Sequence, residues 1–238
     1  MLNKSLFTAI IRSAGNIYNC GCAHLVAKDA YSFGLNYFQN DYSPINSTVS
    51  PFPGFSGLFP TGYSYNPLYN GNISAMSVNI GKLNNPLLYN YQYDQLNRLV
   101  AMDAFAGLDT SNNTWNALTT DNSYQERVSY DANGNIQTYF RNGTTAGGSP
   151  LAMDNLTYNY TKDVNGQLQN NKLTSVNDAV PAGNYPNDID NQSANNYGYD
   201  AIGNMTSDVA GGISNITSAV YGKISSITQT YGSTVAYT

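Results

Sequence analysis

The chain is short of charge. Lysine, arginine, aspartate and glutamate make up 11% of its 238 residues, less than half the ~25% of an ordinary globular domain. Glu126 is the only glutamate and His24 the only histidine. The Ala-Leu-Glu-Lys composition of surface helices is therefore missing. The net charge is −5 and no basic stripe occurs, which argues against a nucleic-acid partner. No apolar run approaches the ~20 residues that a membrane-spanning helix needs, so no membrane span is expected. The N-terminal "MLNKSLFTAIIRSAGN" has a short apolar run that Arg12 interrupts, with no clear small-residue cleavage site after it. It reads as a poor signal peptide.

Cysteine is equally scarce. Cys20 and Cys22 stand beside His24 in "NCGCAHLV" and are candidate metal ligands. A structural zinc site wants four ligands, usually from two separated pairs. There is no second cluster, and a Cys-x-Cys disulfide would close a strained ring. Two ordinary thiols are the expectation, with no cofactor. Catalysis through a Ser-His-Asp or Cys-His arrangement would have to use His24. Pairs for glycoside hydrolysis exist on paper among Asp94, Asp103, Asp131, Asp154, Asp163 and Asp200, but several of these read as turn residues. Gly147-Gly148 lies in "NGTTAGGSP", a flexible loop without the pattern of a phosphate cradle. A non-enzymatic chain is expected.

Tyrosine, glycine and asparagine fill the space. There are 21 tyrosines and 21 glycines; Tyr, Thr, Ile and Val favour strands, while Asn, Gly and Asp favour turns. The expected fold class is all-β. Three regions follow from the pattern. Residues 1–27 lack clear periodicity and read as irregular or short-helical. Residues 28–85 are aromatic and proline-rich: Pro44, Pro51, Pro53 and Pro60 exclude a long helix and interrupt any central strand. They read as a covering segment with short strands, one near 32–38. Residues 86–238 read as a run of β-hairpins.

That run repeats itself. "YQYDQLNRLVAMDAF" begins at Tyr91, "VSYDANGNIQTYF" at Val128 and "YGYDAIGNMTSDV" at Tyr197. "YNYTKDVNGQLQNNKLTSV", from Tyr158, keeps the aromatic alternation but separates Tyr160 from Asp163 by two residues. Each copy reads as strand, tight turn, strand. In "DANG" the Asp131 side chain can accept from the backbone N–H two residues on, and Ala132 and Asn133 fit the centre of a type I turn. Gly134 takes the left-handed conformation that closes the hairpin. Gly166 and Gly203 repeat the rule, and Asn97 stands in the glycine's place in the first copy. The residues of the motif are thus Tyr93, Asp94 and Asn97; Tyr130, Asp131, Gly134 and Asn135; Tyr160, Asp163 and Gly166; and Tyr199, Asp200, Gly203 and Asn204. A calcium loop of EF-hand type does not fit: its twelfth position needs a carboxylate, and counting from Asp131 or Asp200 gives Asn142 or Gly211. The tyrosines are expected to carry the packing, as ring ladders between stacked hairpins. The closing "STVAYT" reads as a fresh copy cut off before its Tyr-Asp.

"YDANGNI" and "YDAIGNM" resemble the YD repeats of the RHS/YD-repeat family, in which the repeat reads roughly Tyr-Asp-x-x-Gly-Asn/Arg-hydrophobic. "LYNGNISAMSVNI", "YNYQYDQLNRLVAMD" and "VYGKISSIT" look like the stretch before the core of bacterial, Bacteroidetes-like members. The resemblance covers residues 28–238. It implies stacked antiparallel hairpins forming part of a curved, spiralling sheet. It also implies a structural role in a larger secreted or cell-surface polypeptide, where the wall encloses or displays a toxin or effector. The partners would be the rest of that polypeptide: further repeats, core and effector. The C-terminal core is not recognisable in the sequence. The alternative is an extracellular carbohydrate-binding or adhesion module whose surface Tyr and Asn meet glycans.

Overall fold

The computed structural model describes residues 30–39, 41, 58–83, 85–109 and 114–237. Among them the chain is all-β, with antiparallel sheets of eight and five strands that do not close into a barrel. The strands of the first sheet are β1 (Tyr31–Asn36), β2 (Ala75–Ile80), β3 (Leu87–Tyr93), β4 (Leu99–Asp109), β5 (Thr114–Tyr130), β6 (Ile136–Asn142), β7 (Ala152–Lys162) and β8 (Leu168–Asp178). They lie side by side in chain order. The second sheet holds β9 (Tyr197–Tyr199), β10 (Met205–Asp208), β11 (Ile213–Ser218), β12 (Ile224–Gln229) and β13 (Thr234–Ala236), also in chain order. Apart from the long link between β1 and β2, every connection within the two sheets is shorter than the dozen or so residues a crossover requires, so the strands meander. Two compact units divide the chain, Met1–Glu126 and Arg127–Thr238, the division falling inside β5.

In the first unit the register places Leu88 opposite Phe105 and Asn90 opposite Asp103. With a side-chain period of two, these residues share the buried face of β3 and β4. Phe105 is the centre of an apolar cluster with Ala75, Leu88, Trp115 and Leu118. Phe59 and Tyr63 from the covering segment meet the Phe105 ring edge-on, centroids 5.0 and 5.1 Å away, the geometry that aromatic quadrupoles favour. Buried beside this cluster, Asp103 accepts from Gln125 Nε2 at 2.8 Å, and Asn90 donates through Nδ2 to Ser64 O at 3.0 Å while its Oδ1 receives no hydrogen bond from any described residue.

The expectation that tyrosines carry the core needs correction here. Tyr89, Tyr91 and Tyr93 lie on the other face of β3 and are half-buried. The sheet face that is fully shielded takes Leu88, Phe105 and Trp115 instead, whereas the Tyr93 hydroxyl reaches a main-chain carbonyl, Ile73 O, at 3.0 Å.

The second unit is built differently. Its buried apolar side chains are few: Leu156, Val176 and Ile216. Asn142, Asp154, Ser175, Asp178 and Asn196 are buried with them. Its strands are joined by a dense set of polar contacts.

Candidate functional site

The four Tyr-Asp motifs occupy equivalent places in the meander. They join β3 to β4, β5 to β6, β7 to β8 and β9 to β10. Each folds the same way. The aspartate's carbonyl accepts from the residue three places on, at 3.0, 3.1, 3.0 and 3.2 Å for Asp94, Asp131, Asp163 and Asp200. Its own N–H donates to the carbonyl four places on, at 2.8–2.9 Å. Its Oδ1 accepts from two backbone N–H groups, two and four residues on: Asn133 and Asn135 reach Asp131 at 2.9 Å each, and Ile202 and Asn204 reach Asp200 at 3.0 and 2.8 Å. Leu96 and Arg98 do this for Asp94, and Asn165 and Gln167 for Asp163. Gly134, Gly166 and Gly203 have φ of 90°, 77° and 97°, and Asn97 adopts 62°. Left-handed backbone is open to glycine and tolerated by asparagine.

Turn chemistry left the residue after the glycine without a role, and the structure supplies one. Asn135 Nδ2 donates to Asp131 Oδ2 at 2.8 Å, and Asn204 Nδ2 to Asp200 Oδ2 at 2.9 Å. In the first copy Arg98 Nε takes that place on Asp94 Oδ2, at 2.6 Å. Both carboxylate oxygens are thereby engaged within five residues. These donors hold the carboxyls below the usual range: chiefly the backbone N–H of Arg98 for Asp94, and the side-chain amides of Asn135 and Asn204 for Asp131 and Asp200. A carboxylate this fully used by its own turn has little left for an exogenous ligand.

The motif tyrosines act through their hydroxyls. Tyr93 donates to Ile73 O, Tyr160 to Ile136 O and Tyr199 to Leu173 O, each at 3.0 Å. The acceptor always lies 20 to 26 residues earlier. Tyr160 and Tyr199 thus tie their repeats to the previous arm. Tyr130 holds the matching position at the end of β5. Burial raises the phenol pKa of Tyr93, Tyr160 and Tyr199. In the second unit β8 also links repeats sideways. Asn171 Oδ1 accepts from Asn133 and Asn135 at 3.1 and 2.9 Å, while Lys172 Nζ donates to Asp200 O at 3.1 Å. Two adjacent residues of one arm therefore reach the turns of two other repeats.

Two further turns have the same backbone bonds without an aspartate. Gly222 N–H donates to Ala219 O at 2.9 Å and Gly232 N–H to Gln229 O at 3.0 Å, with φ of 72° and 93°. The signal available in sequence was Tyr-Gly before a β-branched run, in "VYGKISSIT" and "TYGSTVA". The second of these turns makes "STVAYT" the return arm of a hairpin: β13 pairs with β12, Val235 opposite Ile227. The candidate ligands Cys20, Cys22 and His24 lie outside the described residues.

One group of carboxylates has no place in the turn motif. Asp154 in β7, Asp178 at the end of β8 and Asp188 in the following loop each bring a carboxylate oxygen within 4.8 Å of the others. Asp154 appeared in the sequence only among several aspartates, and Asp178 and Asp188 were not singled out. The signal was register: Leu156 pairs with Asp178, so Asp154, two residues from Leu156 on the same face, lies diagonal to Asp178. The loop is pinned over these strands. Tyr185 Oη donates to Pro150 O at 2.8 Å, Asn184 Nδ2 to Ala152 O at 3.0 Å, and Gln192 N–H to Val176 O at 3.0 Å. A Cβ on Gly143 would collide with the Tyr185 ring, so glycine there lets the loop close down. Asp154 Oδ2 accepts from Arg141 Nε at 2.6 Å. Asp178 Oδ1 accepts from the N–H groups of Asn155 and Val180 at 2.8 and 3.0 Å. Burial, then the charges of Asp154, Asp190 and Asp178, push the Asp188 carboxyl up.

A recess in the first unit, lined in part by Ser77, Val78, Asn79 and Trp115, has a free volume of about 10 Å³, room for about one water and far below the ~300 Å³ at which small-molecule sites begin. Among the described residues no helix is long and apolar enough to cross a membrane. These features define the class as an antiparallel hairpin-repeat protein with aspartate-clamped turns. Comparison with protein-family models and with curated proteins returns no match.

Proposed function

We propose that the chain is a non-enzymatic structural segment of a larger secreted or cell-surface RHS-type polypeptide, whose YD-repeat hairpins build a β-shell that encloses or displays a toxin or effector. The observation that carries this reading is the repeated linkage between hairpins. The aspartate clamp is built four times, and the tyrosine hydroxyl is anchored on an earlier segment three times. Such a design spends its side chains on joining repeats, as a wall requires and a catalytic site does not. In three of the four clamps, those of Asp94, Asp131 and Asp200, both carboxylate oxygens are engaged within the turn, which leaves these carboxylates no free geometry for acid-base work. Mass spectrometry and limited proteolysis of the protein from its native source test the reading. The expected result is a polypeptide that continues past Thr238, with a protease-resistant region spanning residues 86–238 and a segment shielded by it. A secreted species ending at Thr238 that shields nothing would overturn it.

A second reading, a glycan-binding surface, rests on one observation. Tyr221 and Tyr231 stand at the two aspartate-free turns with 90% and 98% of their surface exposed. Flat, exposed rings suit sugar faces. Glycan binding measured by calorimetry and abolished in Y221A and Y231A would favour this reading.

A further inference from the structure

We propose that Asp154, Asp178 and Asp188 form a calcium-binding site. A calcium ion holds its oxygens at 2.3–2.6 Å, so two of its ligands lie at most about 5 Å apart. The three carboxylates, one oxygen each within 4.8 Å of the others, can therefore touch a single ion. The independent sign of a ligand is on Asp154. Its side chain is fully buried, at 0% exposure. One oxygen is taken by Arg141 Nε, and the other, Oδ1, receives no hydrogen bond from any described residue. A buried carboxylate oxygen without a partner is costly, and a cation between it and its two neighbours supplies that partner. Asp178 is set up in the same way, since its two N–H donors both fall on Oδ1 and leave Oδ2 for a ligand.

Charge and donor type choose the ion. Three carboxylates against the Arg141 guanidinium leave two negative charges, which a divalent cation balances. The donors are oxygens only, without cysteine or histidine, which selects a hard cation. Calcium accepts the irregular geometry that two strands and a loop provide, whereas magnesium demands a near-ideal octahedron and keeps its water. Bound calcium would join β7, β8 and the loop that carries Asp188, in the unit with few buried apolar side chains. The competing chemistry is a proton shared between Asp188 and Asp154, which would satisfy Oδ1 without a metal.

The test uses the full 238-residue chain, stripped with a chelator and titrated with CaCl2 at neutral pH and physiological salt. Calorimetry reads binding and thermal unfolding reads stability. D188N keeps the shape of the side chain, and D178N keeps the Oδ1 acceptor that the two N–H groups use. The expected result is saturable uptake of one calcium, a raised Tm, and affinity at least about tenfold weaker in one or both variants, as expected when a coordinating charge is removed. No saturable uptake up to ~1 mM, the weak end of extracellular calcium modules, would overturn the proposal and leave the shared proton as the explanation. Uptake that both variants leave unchanged would overturn it equally.

Discussion

The two units solve the same problem, holding an antiparallel meander together, with different materials. Met1–Glu126 uses an apolar cluster around Phe105 and Trp115, sealed by rings from the covering segment. Arg127–Thr238 has, among its described residues, three buried apolar side chains, three aspartate clamps and a network of asparagine and tyrosine bonds. The difference follows from composition along the chain. Burial of apolar area is non-directional and tolerates irregular loops. Hydrogen-bonded turns are directional and fix one register, so they suit a part that must add identical units.

The largest expected effect separates the two designs. Phe105→Ala should cost about 3–5 kcal/mol, the range for deleting a large buried ring with incomplete collapse of the cavity. Leu156→Ala, in the polar unit, should cost less, about 2–3 kcal/mol, because fewer apolar atoms line the space it leaves. Trp115 is the single tryptophan and 1% exposed, so denaturant unfolding followed by its fluorescence reads the first unit. Hydrogen exchange of the β7 and β8 amides reads the second. Equal losses for the two substitutions would mean that apolar packing matters as much in both, and the contrast would fail.

Deleting hydroxyls probes the linkage of the second unit by itself. Tyr160→Phe and Tyr199→Phe each remove one bond to a main-chain carbonyl and leave the ring, at a cost of about 1 kcal/mol apiece. The loss should appear as faster exchange in β6 and β8, where the acceptors Ile136 and Leu173 lie. If exchange there is unchanged, the hydroxyls decorate the repeats without joining them.

Much of this architecture was legible in the sequence. The four Asp-containing turns fall where the repeat placed them, since the information is local: an Asx acceptor, two central residues and a residue able to take positive φ. What escaped was non-local. Trp115 gives no periodic signal by itself, and its burial depends on a covering segment about fifty residues earlier, which carries Phe59 and Tyr63. Asp178 and Asp188, in "VNDAV" and "PNDIDN", carry no motif or periodic signal of their own and were not singled out. Only the pairing of β7 with β8 and the pinned loop bring them to Asp154. The tyrosines were misjudged because ring size was weighed and the hydroxyl's need for a partner was not.

Titration distinguishes the units further. Asp131 and Asp200 have lowered pKa values in the fold. Their contribution is therefore full above the unfolded value of about 3.9 and is lost as pH falls through the folded one. Asp188 works in the opposite direction, its raised pKa relieving repulsion as acid neutralises it. In a D188N background the second unit should therefore weaken below pH ~4, as exchange or chemical shifts would record. The first unit should be the more sensitive to alkali. Burial pushes Tyr65 and Tyr91 up to about 12. Their contribution is complete below the unfolded value of about 10 and declines as pH climbs through 12. A Trp115 transition that does not weaken between about pH 10 and 12 would contradict this assignment.

The smallest effect tests the turn itself, in the one copy that lacks glycine. Asn97 sits at φ 62°, where glycine carries no Cβ penalty, and Asn97→Gly alone would relieve at most about 1 kcal/mol. Against this, glycine is freer in the unfolded chain, and the side chain it removes accepts from Asn70 Nδ2 at 2.6 Å. That bond is exposed, which limits its net worth to about 0.5–1 kcal/mol. The terms offset, so N97G should move stability by no more than about 0.5 kcal/mol, the usual scale of a surface change. N97A separates the contributions. It loses the same bond and keeps the Cβ in left-handed backbone, and should be the less stable variant by about 1 kcal/mol. If N97A and N97G proved equally stable, backbone conformation would not be what selects glycine or asparagine at this position, and the repeated turn would owe its sequence to something other than its shape.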